Sequence, residues 1–514
     1  MRFLRLKLIL IHVLISVLVQ AQPDNKPIQK LDHYYAKALA DWNVPGMAVA
    51  IVSASDIIYA RGFGVTDITT KQAVDENTLF AVASNTKAFT AAALAMLAEQ
   101  NKVAWSDKVR KYLPWFSLYD PWVSDQMTVR DLLTHRSGLK TFSGDLIWYG
   151  STYSRREVIE KARFLKPAFG FREQFGYSNI MYITAGELIP VITGQSWDDF
   201  VAQYLLTPLG MARSTLHMSA LAGKDNVAQP HTYVDGRLRQ IPWVDWGNMG
   251  PAGSLISSAS EMANWLQMNL NNGTFRGQKI LSPESVRQMQ EAITPLSISK
   301  SFSERFPSTH FRAYGLGWSM FDYHGKKIVT HNGGYDGMIS QTVMIPEEGI
   351  GFVILTNALS NMYYPLMYKT LDVLLGASDE RDWSAELLKL RNENEQKGRE
   401  ERKRIEAERV KNTKPSLALA EYEGFYGSKV YDSIQVYRKD GQLWLQMKRT
   451  PDFIAKLTHW HYDTFEMEFI TQPSLPKGFA TFELDRNGKP ARMKLFLDNP
   501  DFDFTELAPE RLTK

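Results

Sequence analysis

No cysteine occurs anywhere in the 514 residues. Disulfides, thiol nucleophiles, thiolate metal sites and a lipid anchor on an N-terminal cysteine are therefore excluded. Nor does charge of either sign dominate: 59 Lys and Arg stand against 56 Asp and Glu, dispersed along the chain. That balance gives no electrostatic case for nucleic acid or for a membrane surface. The sequence lacks His-Glu-x-x-His and Gly-x-Ser-x-Gly, which argues against a zinc peptidase and against an α/β-hydrolase elbow. A fixed-period repeat is absent as well.

The sequence offers one candidate membrane-spanning run, and it lies at the N-terminus. Arg2, Arg5 and Lys7 precede an almost wholly apolar stretch, Leu8 to Val19, and Val19-Gln20-Ala21 forms a plausible cleavage site before Gln22. The run is too short to cross a bilayer comfortably, so residues 1–21 read as a signal peptide, with a retained single-helix anchor as the alternative. The mature protein is then expected to be periplasmic or secreted, without stable membrane insertion.

What remains is globular in composition, 44% hydrophobic and 22% charged, and long enough for more than one domain. Gly46 to Val52 and Ile57 to Ala60 read as buried strands joined by Ser53 to Asp56. Helical patterns follow at Lys87 to Gln100, Val129 to Thr134, Ser154 to Phe164 and Ile180 to Thr193. Others run from near Ser258 to Asn271-Asn272-Gly273 and from Ser282 to Ala292. Strands return at Ile328 to His331, Met338 to Ile345 and Ile350 to Asn357. Strands at both ends with helices between predict an α+β domain over residues 22–376, an antiparallel sheet with an inserted helical subdomain. Residues 377–414 are dense in Glu, Lys, Arg and Asn and predict a charged helical linker. Beyond Pro415, short alternating strands flank Asp440-Gly441 and Asn487-Gly488, so residues 415–514 predict a small antiparallel barrel or sandwich.

Ser-x-x-Lys places a hydroxyl and an amine one helical turn apart, and a lysine in a dry site can lose its proton near neutral pH. The pattern occurs four times: Ser84/Lys87, Ser137/Lys140, Ser297/Lys300 and Ser474/Lys477. Pro473 and Pro476 exclude a regular helix around Ser474, Gly138 marks a helix end after Ser137, and Ser297 lies in a polar stretch without helical periodicity. Only Ser84 opens a long apolar helix, although it could be a simple N-cap. Tyr177-Ser178-Asn179 precedes another helix, where a tyrosine could relay a proton and an asparagine hold a carbonyl. His331-Asn332-Gly333-Gly334 ends a predicted strand, with glycines that permit close backbone approach. Taken singly, Tyr177 could be a packed aromatic and His331 a satisfied edge-strand residue.

Together and in this order, the three elements resemble the serine beta-lactamase and penicillin-binding-protein superfamily. The branch they look most like holds class C beta-lactamases, D-alanyl-D-alanine carboxypeptidases, D-aminopeptidases and esterases. Pro45 to Ala50, Thr128 to Leu139, Pro208 to Met211 and Gly315 to Trp318 add to the likeness, which covers roughly residues 28–375. The resemblance implies a beta-lactamase/transpeptidase-like fold and acyl-enzyme chemistry. By it, Ser84 is the nucleophile, Lys87 its base and Tyr177 the proton shuttle to the leaving group. Asn179, His331, Gly333 and Gly334 would bind substrate, with an oxyanion hole from the backbone of Ser84 and Gly334.

His331 stands where beta-lactamases carry lysine, and a histidine is only weakly cationic near neutral pH. This favours a D-amino-acid peptidase or an esterase. A weak class C-like beta-lactamase, or an acylated penicillin-binding or peptidoglycan-sensing protein without efficient turnover, are the alternatives. The expected partner is a small peptide, ester or beta-lactam-like molecule. No cofactor and no metal are implied, and oligomeric state is open. The C-terminal unit resembles the lipocalin-like barrel appended to some members of this branch. Its His459-Trp460-His461 lacks a clear third ligand for a metal. Candidate pocket loops are Ser143 to Thr152 and Gln240 to Pro251.

Overall fold

A computed structural model describes residues 26–512 apart from Asp235 and Asp379, so the signal-peptide segment lies outside the described residues. Eight strands form one antiparallel sheet: β1 (Gly46–Ser53), β2 (Ile57–Gly64), β3 (Thr294–Leu296), β4 (Arg312–Tyr314), β5 (Ser319–Tyr323), β6 (Lys326–Tyr335), β7 (Met338–Ile345) and β8 (Ile350–Thr356). Their spatial order is β2-β1-β8-β7-β6-β5-β4-β3. The first two strands of the chain therefore join the last, as the distribution of strand patterns predicts.

The central strands are buried on both faces, which is why they read as continuous apolar runs rather than alternating ones. On β1, Met47, Val49 and Ile51 face a core shared with helices α1 (Lys26–Asp41) and α5 (Tyr363–Leu374). Ala48, Ala50 and Val52 face the other way, toward α2 (Thr86–Glu99) and α4 (Ala259–Leu270). The small residues on that face allow α4 to lie close to the sheet. Phe89 of α2 then stacks on Trp265 of α4, with ring centroids 3.9 Å apart. A second helix of the inserted subdomain, α3 (Asn179–Thr193), packs beside α2.

Two elements are longer than the sequence patterns predict. Strand β6 runs four residues past His331, so His331-Asn332-Gly333-Gly334 lies within the strand, paired with Ile339 to Thr342 of β7. Strand β2 continues to Gly64. The short strands β3, β4 and β5 carry too few residues each to show a period in sequence.

The charged stretch after the sheet includes α6 (Trp383–Ala407), whose first turn buries Trp383, Ser384 and Leu387 and whose remainder is largely exposed. Beyond it, eight antiparallel strands from Gly424–Gly427 to Glu510–Arg511 close into a barrel. Leu443, Leu445 and Met447 point inward and alternate with Gln442, Trp444 and Gln446. His459 and His461 are engaged in local packing: His459 Nε2 bonds to Tyr462 O (3.0 Å) and His461 Nδ1 accepts from Val410 N–H (3.3 Å). No described helix is long and apolar enough to cross a membrane.

Asp131 ties the helical subdomain together. Its fully buried carboxylate accepts from Arg136 (3.2 Å), Arg172 (2.6 Å) and the Thr128 backbone (3.0 Å). Burial alone would raise this carboxyl, but Arg172 and Thr128 outweigh it and hold it below its ordinary value. A depressed carboxyl stabilises the fold above its unfolded pKa, about 3.9, and loses that contribution as pH falls through the folded value. Asp131→Ala is expected to lower unfolding free energy by about 2–3 kcal/mol at pH 7 in chemical denaturation. The gap between variant and wild type should narrow toward pH 3.

Candidate active site

A short pair of strands, Phe80–Ala81 with Ile256–Ser257, delivers the chain to a 3₁₀ turn, Ala83–Asn85, and then to α2. Ala83 takes φ +46°, a costly value for a residue with a Cβ. Surrounding bonds fix that turn. Thr86 Oγ1 donates to Ala83 O (2.6 Å) and accepts from Leu255 N–H (3.0 Å). Asn85 is held by Ser340 Oγ (2.8 Å) and Thr342 Oγ1 (2.5 Å) of β7. Ser84 is thus presented on the wall of a cavity of about 640 Å³.

Lys87 is fully buried, with Nζ 3.0 Å from Ser84 Oγ, 2.7 Å from Asn179 Oδ1 and 2.8 Å from the Ala252 carbonyl. Burial pushes its ammonium well below the ordinary lysine value, against the opposing pull of Asp145. A neutral amine has two N–H groups and one lone pair. With the amine neutral, Asn179 and Ala252 take its two hydrogens and a lone pair is left for the Ser84 hydroxyl.

Asn179 cannot turn its amide the other way without loss. Its Nδ2 donates to Asp145 Oδ2 (2.7 Å), so Oδ1 faces Lys87. Asp145 is itself buried, and its other oxygen accepts from Trp148 Nε1 (2.8 Å). Burial raises the Asp145 carboxyl to about 8, moving it, like Lys87, toward the neutral form.

Tyr177 lies beside this pair, its ring centroid 4.7 Å from Lys87 Nζ. Burial raises its phenol well above the usual range, and a hydrogen bond with Ser84 offsets only part of that. The phenol therefore stays protonated at physiological pH and can act as an acid. Beneath it sits His135, with ring centroids 4.2 Å apart. His135 Nδ1 accepts from Ser178 N–H (3.0 Å), so the proton of the neutral imidazole is on Nε2, and burial holds the ring neutral. Thr141 Oγ1 accepts from Tyr177 N–H (3.1 Å), and Phe142 N–H donates to Tyr177 O (2.8 Å).

The comparisons with known proteins come down on one side. A family model described as Beta-lactamase matches residues 31–372. The chain belongs to the beta-lactamase family. A domain of unknown function (DUF3471) matches residues 408–511. An unguisins hydrolase, ungD, from Aspergillus violaceofuscus is 32% identical over 372 residues, 68% of this chain and 65% of that protein. The chain thus spans just under two thirds of that relative's length. A second unguisins hydrolase, from Aspergillus campestris, is 30% identical over 435 residues, 78% of this chain and 76% of its own. Among solved structures, an octameric penicillin-binding protein homologue from Pyrococcus abyssi aligns with TM-score 0.62 at 23% identity, over 92% of this chain and 98% of its own. A D-stereospecific amidohydrolase from Streptomyces sp. aligns with TM-score 0.52 at 21% identity, over 65% and 95%. These two share the fold.

Within this family member, Ser84, Tyr177, Asn179 and Gly334 line the cavity, and Lys87 lies directly behind Ser84. His331 does not line it. Its Nε2 bonds to Tyr314 Oη (2.9 Å), its Nδ1 to Asn332 O (2.6 Å), and burial together with Lys87 lowers it to about 3. Its charged form is disfavoured there, and its ring packs behind the cavity wall formed by Asn332 and Gly334. Gly333 is equally close-packed: a Cβ there would stand 2.2 Å from Val82 O and 2.9 Å from Ser84 N. Gly317, at φ +78°, lets its turn press on α2, where a Cβ would lie 2.8 Å from Lys87 O. Both glycines serve the nucleophile by having no side chain. The residues that sequence reasoning missed are His135, Asp145 and the Ala252 carbonyl. His135 and Asp145 fall in stretches already singled out, but a main-chain acceptor leaves no sequence signal.

Gly333→Ala should displace the Ser84 backbone. The expected result is at least a tenfold loss in kcat on any substrate, read by steady-state kinetics, with the circular-dichroism spectrum retained.

Proposed function

We propose that the protein is an exported serine hydrolase that cleaves small peptides or esters through an acyl-enzyme on Ser84. One observation carries this reading: the fully buried Lys87 amine 3.0 Å from Ser84 Oγ, in a place where burial disfavours its charged form. Lys87 takes the hydroxyl proton as Oγ attacks the acyl carbonyl, and the protonated amine is then stabilised by Asn179 Oδ1, Ala252 O and Ser84. Backbone N–H groups of Ser84 and Gly334 form the oxyanion hole, both residues being on the cavity wall. Tyr177, protonated, donates to the departing amine or alkoxide and recovers its proton through Lys87. Water then repeats the sequence on the ester.

The names of two proteins similar in sequence, both unguisins hydrolases, support a hydrolase. The wall chemistry argues against an anionic substrate such as a beta-lactam: Asp336 and Asp501 line the cavity, and among the described residues no Lys, Arg or His side chain does.

A chromogenic acyl ester tests this. Wild type should turn over, and Ser84→Ala should lose at least about 10³ in kcat/KM. Lys87→Arg, which keeps the charge but cannot release its proton, should lose about 10²–10⁴. Because the base works deprotonated, kcat/KM should rise with pH through an apparent pKa below the ordinary lysine value of about 10.4. Labelling of Ser84 without turnover would sink the hydrolase reading in favour of a sensor.

A further inference from the structure

The Ala252 carbonyl that accepts from Lys87 belongs to the run Gly247-Asn248-Met249-Gly250-Pro251-Ala252-Gly253. Three of its seven residues are glycine, so the run has little conformational preference of its own and its position has to be set from outside. At one end, Thr90 Oγ1 of α2 donates to Pro251 O (2.7 Å) and accepts from Trp197 Nε1 (3.0 Å). At the other, Gly247 O accepts from both Nε (3.1 Å) and Nη2 (2.9 Å) of Arg155, the first residue of the helix Arg155–Lys161. Beside it, Asn248 Nδ2 donates to Trp148 O (2.8 Å).

Arg155 is itself fixed. Its Nη1 and Nη2 donate to Asp198 Oδ2 (2.7 Å) and Oδ1 (2.9 Å), in a pair whose side chains are only 16% and 11% exposed. Glu187 lies 3.8 Å from Nη1. A guanidinium is planar and carries five N–H donors, so its end grips the carboxylate while its side, Nε and Nη2, grips the carbonyl. A lysine has one nitrogen and cannot do both. The run seats directly on this group: a Cβ at Gly250 would stand 2.4 Å from Nη2. Trp197 joins the two anchors, since the Arg155 guanidinium lies 5.6 Å from its ring and its indole N–H reaches Thr90. Neither Arg155 nor Asp198 lines the cavity that holds Ser84.

We propose that Arg155 is a positioning residue for the hydrolase reaction: pinned to Asp198, it holds Gly247 O and thereby sets where the Ala252 carbonyl meets Lys87 and how the amine is aligned on Ser84. This rests on the reading of Lys87 as the base. Because neither Arg155 nor Asp198 faces the cavity, loss of the pair falls on kcat and not on KM. Because a buried ion pair can be replaced by apolar side chains of similar volume without loss of stability, the positioning role separates from a purely structural one.

The experiment uses a neutral p-nitrophenyl acyl ester and fluorophosphonate labelling of Ser84 in the full chain. Arg155→Met/Asp198→Leu removes both charges together, leaving Glu187, which burial already pushes toward its neutral form. Arg155→Lys keeps the charge opposite Asp198 and gives up the second edge; it decides alone if the double variant does not fold. Both variants should melt within about 4 °C of wild type. Both should lose at least tenfold in kcat and in labelling rate, with KM within twofold. Arg156→Met, on the same helix but exposed and paired with Glu160, is the control and should match wild type. A smaller folded fraction would scale the whole pH profile without moving it. The ascending limb of kcat/KM should instead shift to lower pH in both variants, because the Lys87 ammonium has lost its hold on a carbonyl acceptor. Turnover within twofold of wild type in the folded variants, or a profile scaled with its limb unmoved, overturns the inference. An inert wild type refutes the hydrolase reading, and this inference with it.

Discussion

Burial of one amine organises this molecule. Lys87 has no access to water, so its charged form is penalised, and everything around it manages that penalty. The Ala252 carbonyl and Asn179 Oδ1 accept its hydrogens, Asp145 fixes which end of Asn179 faces it, and Ser84 receives what remains. The arrangement requires α2, α3 and the Gly250–Gly253 turn to meet at one point. The apolar surfaces of those elements, held by the Phe89–Trp265 stack and the buried alanines of β1 and α2, make that meeting rigid.

Much of this was legible in the sequence because it is written in local patterns. Helix context singled out Ser84 among four similar serines, and strands at both chain ends gave the sheet its closing topology. Asn-Gly and Asp-Gly turns announced the C-terminal barrel. What stayed hidden depends on contacts between distant segments. The environment of His331 is an example: its type suggested a weak cation, whereas burial and the nearby Lys87 disfavour its charged form. Asp145 and His135 were present in noticed stretches, yet only the fold places one under Asn179 and the other under Tyr177. The reach of the barrel into the cavity could not be read either, since residues 499–502 are more than 400 positions from Ser84.

The two domains meet at the cavity that holds Ser84. The hydrolase domain supplies the acyl-transfer machinery, which fixes reaction type. The barrel supplies part of the wall opposite it. The segment 140–144 links both roles, since it is held by Glu506 and Asp503 on one side and bonds to the Tyr177 backbone on the other. A change in barrel docking would therefore be felt by the proton donor as well as by the pocket.

The central claim is that Lys87 is neutral when it meets the Ser84 hydroxyl. It is tested most directly by following the ¹³Cε resonance of Lys87 through a pH titration of ¹³C-lysine-labelled protein, with Lys87→Met used for assignment. The account predicts a titration midpoint well below the ordinary lysine value of about 10.4. A midpoint at or above that value would show an ammonium through the working range and contradict a lysine base.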